Sequence, residues 1–420
     1  MRNIINRIII IMLTMIMIVS LYSLMDRHLP SEINRQEAGK IRERIIAFFR
    51  MQPHKSYETL NYKAVWVSYL DVEAYRTDLE EKGESNDEEH FSKYAEKIAS
   101  DAEKAGLTHV IFQVRPFGDA LYESDVFPWS ASISGSQGLS PGYDPLAIMI
   151  KACHRHDLKL EAWINPYRIT AENHDQLSND NPACTWINAG KRHVLEYNGR
   201  LYYNPASSQA QMLIKKGVQE IVNNYKVDGI HMDDYFYPTF TRENVRKTFD
   251  YDEYEGAIRS RLIRKDKSIY NWRRDNVSTL LKDTWRIVKE EDTDITFGIS
   301  PNGNLDNLRS DLQHYADIDL WASETGYVDY MIPQIYWGFD DKDKKFDRTV
   351  DEWAELVKDS QVELYVGLPV YRLDKSALVD PADMEFNDSG VIEKMKQYLE
   401  KNEVVTGYAL FSYRFLDLMR

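Results

Sequence analysis

The sequence predicts an α/β fold: a (β/α)8 TIM barrel preceded by an N-terminal membrane anchor or signal segment and a short stalk. Three observations lead there. Short β-rich runs alternate with helical periods about eight times, the pattern of a parallel sheet that is covered by helices and closes on itself. The Gly-rich phosphate turn that an open doubly wound sheet carries after an early strand is missing from the sequence. Long, aromatic-rich segments follow the third, fourth and sixth runs, whereas most helix-to-strand returns are tight. That asymmetry suits a barrel whose functional loops gather on one face.

In chain order, Arg2 and Arg7 precede an unbroken apolar run at residues 8–25, IIIIMLTMIMIVSLYSLM, before Asp26 and Arg27. The run is long for a signal-peptide core and roughly long enough to span a bilayer. No small-x-small cleavage site and no lipid-accepting Cys follows it. The expectation is therefore an export segment kept as a single-pass anchor, basic end inside and bulk outside, with a cleaved signal as the alternative. Residues 1–30 are assigned to this segment, and residues 31–62, polar with a helical patch near 41–49, to a linker or stalk. Residues 63–420 are assigned to the barrel. The expected location is extracytoplasmic, in the cell envelope, with the membrane as a partner through the N-terminal segment.

The strands are expected at residues 64–69, 108–114, 159–164, 227–232, 294–300, 328–336, 362–368 and 404–411. Helical periods fall at residues 88–105, 145–156, 207–225, 270–290, 348–359 and 390–401. The acidic run at residues 78–89 reads as a solvated loop. With 43% hydrophobic residues the chain can bury a large core, and a net charge of −15 argues against a nucleic-acid partner. Only Cys153 and Cys184 are present, which leaves a disulfide and two free thiols both open.

Side chains two apart on a strand share a face, and the face against the helices must be apolar. Val110, Phe112 and Val114 then face helices, leaving Gln113 and Arg115 inward; Leu160, Ala162 and Ile164 leave Glu161, Trp163 and Asn165 inward. On the fourth strand Ile230 and Met232 face out, so Gly229, His231 and Asp233 line the lumen, with Asp233 at the rim. Asp234 falls on the turn and must be swung inward to take part. Glu161 and His231 sit before their strand ends, where a buried hydrogen-bonded network is the commoner arrangement. Arg115 and Arg168 suit either scaffold pairing with carboxylates or contact with substrate oxygens. Asn302, Gln334 and Tyr336 complete the polar rim, and Trp129, Trp186, Tyr202, Tyr203, Tyr235, Tyr237 and Trp337 are loop aromatics on which sugar rings can stack.

The segments FQVRPFGDALYESDVFPWS (112–130), GYDPLAIMIKACHRHDLKLEAWINPYR (142–168), YYNPASSQ (202–209), DGIHMDDYFYP (228–238), FGISPNGN (297–304) and DYMIPQIYW (329–337) together resemble the glycosyl-hydrolase-like 10 family. The resemblance runs from about residue 63 onward. It implies a TIM-barrel glycosidase acting on bacterial peptidoglycan glycan strands; it does not by itself assign the acid and the nucleophile, for which the rim carboxylates Asp233 and Asp234 are the catalytic candidates. The substrate-binding candidates are Arg115, Asp119, Asn165, Arg168, His231, Tyr235, Asn302, Gln334, Tyr336 and Trp337. No metal or other cofactor is implied; His154 and His156, two apart on a helix, point to different faces. Two mechanisms stay open. D-G-x-x-x-D resembles a retaining nucleophile strand, which makes Asp233 the nucleophile and needs an acid about 5–5.5 Å away, from Asp119, Glu324 or Asp340. Alternatively, and slightly favoured, adjacent Asp233 and Asp234 resemble the paired acids of substrate-assisted hexosaminidases, although His231 and Tyr235 stand where the chitinase motif has its second Asp and its Glu. A non-catalytic wall-glycan-binding barrel and a hydrolase of another exopolysaccharide are the rival functions.

Overall fold

The computed structural model describes residues 60–171, 176–374, 381–388 and 390–419. The N-terminal apolar run and nearly all of the stalk lie outside them. No helix among the described residues is long and apolar enough to cross a membrane.

The strands are β1 (Tyr62–Val67), β2 (His109–Arg115), β3 (Lys159–Ile164), β4 (Val194–Tyr197), β5 (Arg200–Tyr203), β6 (Gly229–Asp233), β7 (Thr296–Ser300), β8 (Tyr330–Met331), β9 (Glu363–Leu368) and β10 (Val405–Leu410). All except β4 and β5 pair in parallel into a closed barrel, in the order β1-β10-β9-β8-β7-β6-β3-β2. Helices such as Glu88–Lys104, Pro145–Arg155, Ser208–Asn224 and Ile269–Glu291 cover it. The expected barrel is thus present. β4 and β5 form an antiparallel hairpin in the loop after β3 that the strand assignment omitted. Asn198 and Gly199 at its tip both have positive φ, the turn conformation that an Asn-Gly pair adopts at low cost.

The four helices named begin where a polar side chain replaces the missing intrahelical acceptor. Asp87 accepts from the His90 amide at 3.0 Å, Asp144 from the Ala147 amide at 3.0 Å and Ser207 from the Ala210 amide at 3.2 Å. The acidic run at 78–89 is therefore not a loop throughout: helix Tyr69–Lys82 takes its first part, and Asp87 caps the next helix.

Alternation sorts the strand residues as expected. Val110, Phe112, Leu160, Ala162, Ile164, Ile230 and Met232 join the apolar layer under the helices, while Tyr62, Ala64, Trp66, Ile111, Trp163, Tyr330 and Ile332 fill the lumen. Two departures matter for the rim. The ladder register shifts between Gln113 and Arg115, so Arg115 lies opposite Ile164, an outward-facing position. The sixth barrel strand, expected over nine residues, keeps a regular ladder only at Tyr330 and Met331. Pro333 has no N–H to donate, and pairing resumes only as isolated bridges from Gln334 to Asn302 and to Gly367. Cys153 and Cys184 are both free thiols, so the disulfide is not formed.

Candidate active site

β6 ends at Asp233, and its carboxylate is 2% exposed in the mouth of the lumen. The Trp163 indole N–H donates to Oδ2 at 3.2 Å, and the Tyr235 amide to Oδ1 at 3.3 Å. Both bonds are long. Burial pushes the Asp233 carboxyl up to about 7, and the neighbouring Asp234 charge pushes in the same direction against the pull of Arg168.

Asp234 is turned the other way, toward the end of β7. Its Oδ2 accepts the Asn302 amide at 2.6 Å and lies 3.1 Å from His314 Nδ1. Asn302 is itself fixed by a turn in which its Oδ1 accepts the Asn304 amide at 2.9 Å. Burial pulls the His314 imidazole down, but the hydrogen bond and charge of Asp234 outweigh it and hold it above the ordinary histidine value. The turn thus brings Asp234 to the rim without the loop having to invert.

Below the rim runs a fully buried chain of polar groups. Ser300 Oγ lies 3.0 Å from His231 Nε2, and the Tyr330 hydroxyl 2.9 Å from His231 Nδ1. The Tyr330 hydroxyl donates to Glu161, whose other oxygen accepts from the Tyr62 hydroxyl at 3.1 Å. Gly298 and Gly229 make this packing feasible: a Cβ at Gly298 would lie 2.1 Å from the Tyr330 ring, and one at Gly229 would lie 2.8 Å from the Glu161 Cγ. Burial pushes His231 down to about 3 and Glu161 up to about 7. His231 was expected among the substrate contacts; both ring nitrogens are instead engaged inside the protein, and it supports the floor on which Trp163 and Asp233 sit.

Arg115 was also expected at the substrate. The register shift buries it instead beneath the loop after β3, where Nη2 donates to the Asn165 and Pro166 carbonyls at 2.8 and 2.7 Å and the guanidinium lies 4.6 Å from the Phe127 ring. Asp119 is 2% exposed, accepts from Gln137 at 3.3 Å and is pushed up to about 6 by burial. Asn165 is buried and holds the Arg168 amide at 3.3 Å. Arg168 itself reaches the rim between the rings of Phe117 and Tyr235, at 5.2 and 5.1 Å, and its charge acts on Asp233. Tyr235 is 53% exposed and offers a ring face to solvent.

Across the mouth, Gln334 donates to the Ser300 carbonyl at 2.8 Å, tying β7 to the irregular end of the β8 segment. The charge of Asp234 and the hydroxyl of Tyr235 both act on Tyr336, which places all three at one rim. Trp337 is half-buried, with its indole N–H 3.3 Å from Thr349 Oγ1 on helix Phe346–Val357 and its ring against Gly303. It braces the loop. Among the other aromatics Tyr203 and Tyr237 are core residues, not platforms. Of the remaining acids, Glu324 lies on the return from helix Ile318–Ser323 to β8, at the opposite end of the barrel, and Asp340 is an exposed loop residue. His314 was not among the sequence candidates. It lies in the segment after β7, the fifth barrel strand, which was not among those that stood out as long, and its backbone φ of 57° left no mark in the sequence.

Comparison with known proteins bears on the family and the fold. The family model described as Glycosyl hydrolase-like 10 matches residues 61–385. The chain is 37% identical over 299 residues to glycosyl hydrolase YngK of Bacillus subtilis, covering 67% of this chain and 56% of that protein, so it spans little more than half the length of that relative. It is 31% identical over 338 residues to glycosyl hydrolase DigH of Escherichia coli, covering 75% of this chain and 74% of DigH. Among solved structures, the PgaB (BpsB) glycoside hydrolase domain from Bordetella bronchiseptica is similar in fold, with a TM-score of 0.53 at 12% identity over 85% of this chain and 95% of that one.

Proposed function

Because this chain belongs to the glycosyl hydrolase-like 10 family, we propose that it is a glycosidase that cleaves an N-acetylated cell-wall polysaccharide, peptidoglycan glycan strands foremost, outside the cytoplasmic membrane. The observation that carries the reading is the contrast between adjacent carboxylates. Asp233 is buried and titrates near 7, where a general acid is most useful, while Asp234 is held by the Asn302 amide and His314.

These environments support a substrate-assisted route. Protonated Asp233 donates its proton to the glycosidic oxygen as the bond from that oxygen to the anomeric carbon breaks. The carbonyl oxygen of the substrate's N-acetyl group forms the new bond to that carbon, and Asp234 accepts the N–H of the acetamido group and offsets the positive charge that develops there. Water then opens the cyclic intermediate, losing a proton to the Asp233 carboxylate. No protein nucleophile is required. The retaining alternative needs a second acid beside Asp233. Glu324 lies at the wrong end and Asp340 is exposed, which leaves Asp119, as buried as Asp233 and pushed up to about 6, as the one candidate acid for that route. Tyr235 supplies a ring face for a sugar, and Arg168 a cation beside it.

The test is incubation of the protein with denuded peptidoglycan strands, with the same strands after de-N-acetylation, and with an unrelated exopolysaccharide, followed by assay of new reducing ends. Cleavage of the N-acetylated strands alone is expected. Equal cleavage of the de-N-acetylated strands would overturn the substrate-assisted route, and binding without new reducing ends would make the barrel a glycan-binding protein.

A further inference from the structure

On the same face as Asp233 and Asp234, beyond the ends of β9 and β10, lies an open cavity of about 670 Å³ walled by Tyr371, Asp374, Phe411, Arg414, Phe415 and Leu418. Its size is that of a site for a small organic ligand. It is connected to the carboxylates by a run of aromatic rings. Tyr336, which the charge of Asp234 reaches, stacks on Phe411 at 5.8 Å and meets Tyr371 edge-on at 5.8 Å; Tyr371 in turn lies 6.4 Å from Phe415. The rings are held by backbone bonds, since the Tyr371 amide donates to the Phe411 carbonyl at 3.0 Å and the Phe411 amide to the Leu368 carbonyl at 3.0 Å. Tyr371, Phe411 and Phe415 keep partial exposure, and Arg414 is exposed.

We propose that this cavity is a distal glycan subsite, which binds a sugar unit of the polysaccharide several residues along the strand from the bond being cut. The inference rests on the reading of the rim as a glycosidase site. The partly exposed rings of Tyr371, Phe411 and Phe415 offer apolar surface of the kind that packs on sugar rings; Arg414, which also lies over the Phe415 ring at 4.7 Å, suits hydroxyl or carboxylate substituents, and Asp374 suits hydroxyls. A site for an unrelated small molecule would not call for a track of rings leading back to Asp234. Binding energy taken up here is remote from the reacting atoms, so it can position the strand and favour long substrates over short ones.

The test uses the full chain carrying Asp233→Asn, so that substrates persist, and measures calorimetric affinity for N-acetylglucosamine oligosaccharides from disaccharide to hexasaccharide and for purified peptidoglycan strands. Affinity is expected to rise about tenfold or more with length. Phe415→Ala and Tyr371→Ala, checked for unchanged melting temperature, are expected to erase that gain, and Phe415→Tyr to restore it. If affinity rises with length in the parent but neither alanine variant changes it, the subsite is overturned while the glycosidase reading stands. If the catalytically intact protein cuts no glycan and the parent binds none of any length, both are overturned.

Discussion

His314 and Asp234, 80 residues apart in sequence, meet at 3.1 Å at the mouth of the barrel, where the loop after β7 lays the imidazole against the carboxylate. The same carboxylate takes the Asn302 amide, so two groups from the β7 side fix its position. His314→Ala is expected to lower kcat on N-acetylated glycan by about tenfold to a hundredfold, less than loss of either carboxylate, because it removes support from Asp234 and not a proton donor. His314→Asn, whose Nδ2 can donate to the Asp234 carboxylate, should recover part of that loss. Steady-state kinetics of both variants check this, and equal activity of His314→Ala and wild type would remove His314 from the site.

Asp233→Asn and Asp234→Asn are each expected to lower turnover by at least about a hundredfold, the scale of lost acid–base catalysis. The two losses should not add, because in the proposed route both residues serve one cleavage event. Assay of reducing ends released from peptidoglycan strands measures this. Near-normal cleavage by both variants would refute the paired-carboxylate site.

With Asp233 as the proposed general acid, the reaction is expected to have a basic limit. Its carboxyl is pushed up to about 7 by burial first and by Asp234 second. A general acid must be protonated, so kcat is expected to fall about tenfold per pH unit above that value. Arg168 opposes the shift, and Arg168→Gln should therefore move the limit to higher pH while weakening substrate binding. A limit that stays in place in Arg168→Gln would mean that another group sets it.

Glu161 makes folding stability depend on pH. Its carboxyl titrates at about 7 in the fold against an ordinary value of 4.5, chiefly because of burial. The folded state holds that proton more tightly than the unfolded state, so the contribution is complete below 4.5 and is lost as pH rises through about 7. The loss is on the order of 3 kcal/mol. Asp233 works in the same sense, whereas His231, pushed down to about 3, works in the opposite sense. The comparison with Glu161→Gln isolates the term: relative to wild type, the variant should gain stability between pH 4.5 and about 7. Urea unfolding across that window checks it, and parallel curves would refute it.

Much of this was legible because period-two alternation is a local property. Leu160, Ala162, Ile164, Ile230 and Met232 identify the helix-facing side from sequence alone, and Asp233 follows as the last inward residue. Arg115 was misplaced for the same reason: alternation assumes an unbroken register, and the shift at Val114 carries no compositional mark. The β4–β5 hairpin, by contrast, was readable from VLEYNGRLYY, whose Asn-Gly turn lies between alternating runs. His314 was not readable, because its approach to Asp234 depends on two consecutive positive-φ residues, His314 and Tyr315, that only tertiary packing enforces.

That packing gives the last prediction. Arg273 and Asp250 form an ion pair with both side chains fully buried, at 2.7 Å. Tyr237, three residues past Asp234, donates to Asp250 at 2.8 Å, and Arg273 donates to the Tyr315 hydroxyl at 2.9 Å. Tyr315 adjoins His314 and donates to the Asp311 carbonyl at 2.7 Å. One buried pair therefore holds the loops on either side of the Asp234–His314 contact. Arg273→Met is expected to destabilise the protein by about 3–5 kcal/mol, since it strands a buried carboxylate. Adding Asp250→Leu removes that stranded charge and should recover much of the stability. It cannot restore the bond to Tyr315, so His314 should remain loosely held, its imidazole pKa moving back toward the ordinary value and kcat remaining low. Denaturant unfolding follows the first effect and histidine NMR titration the second. A double variant that regains both stability and the His314 pKa would show that Arg273 supports the fold alone.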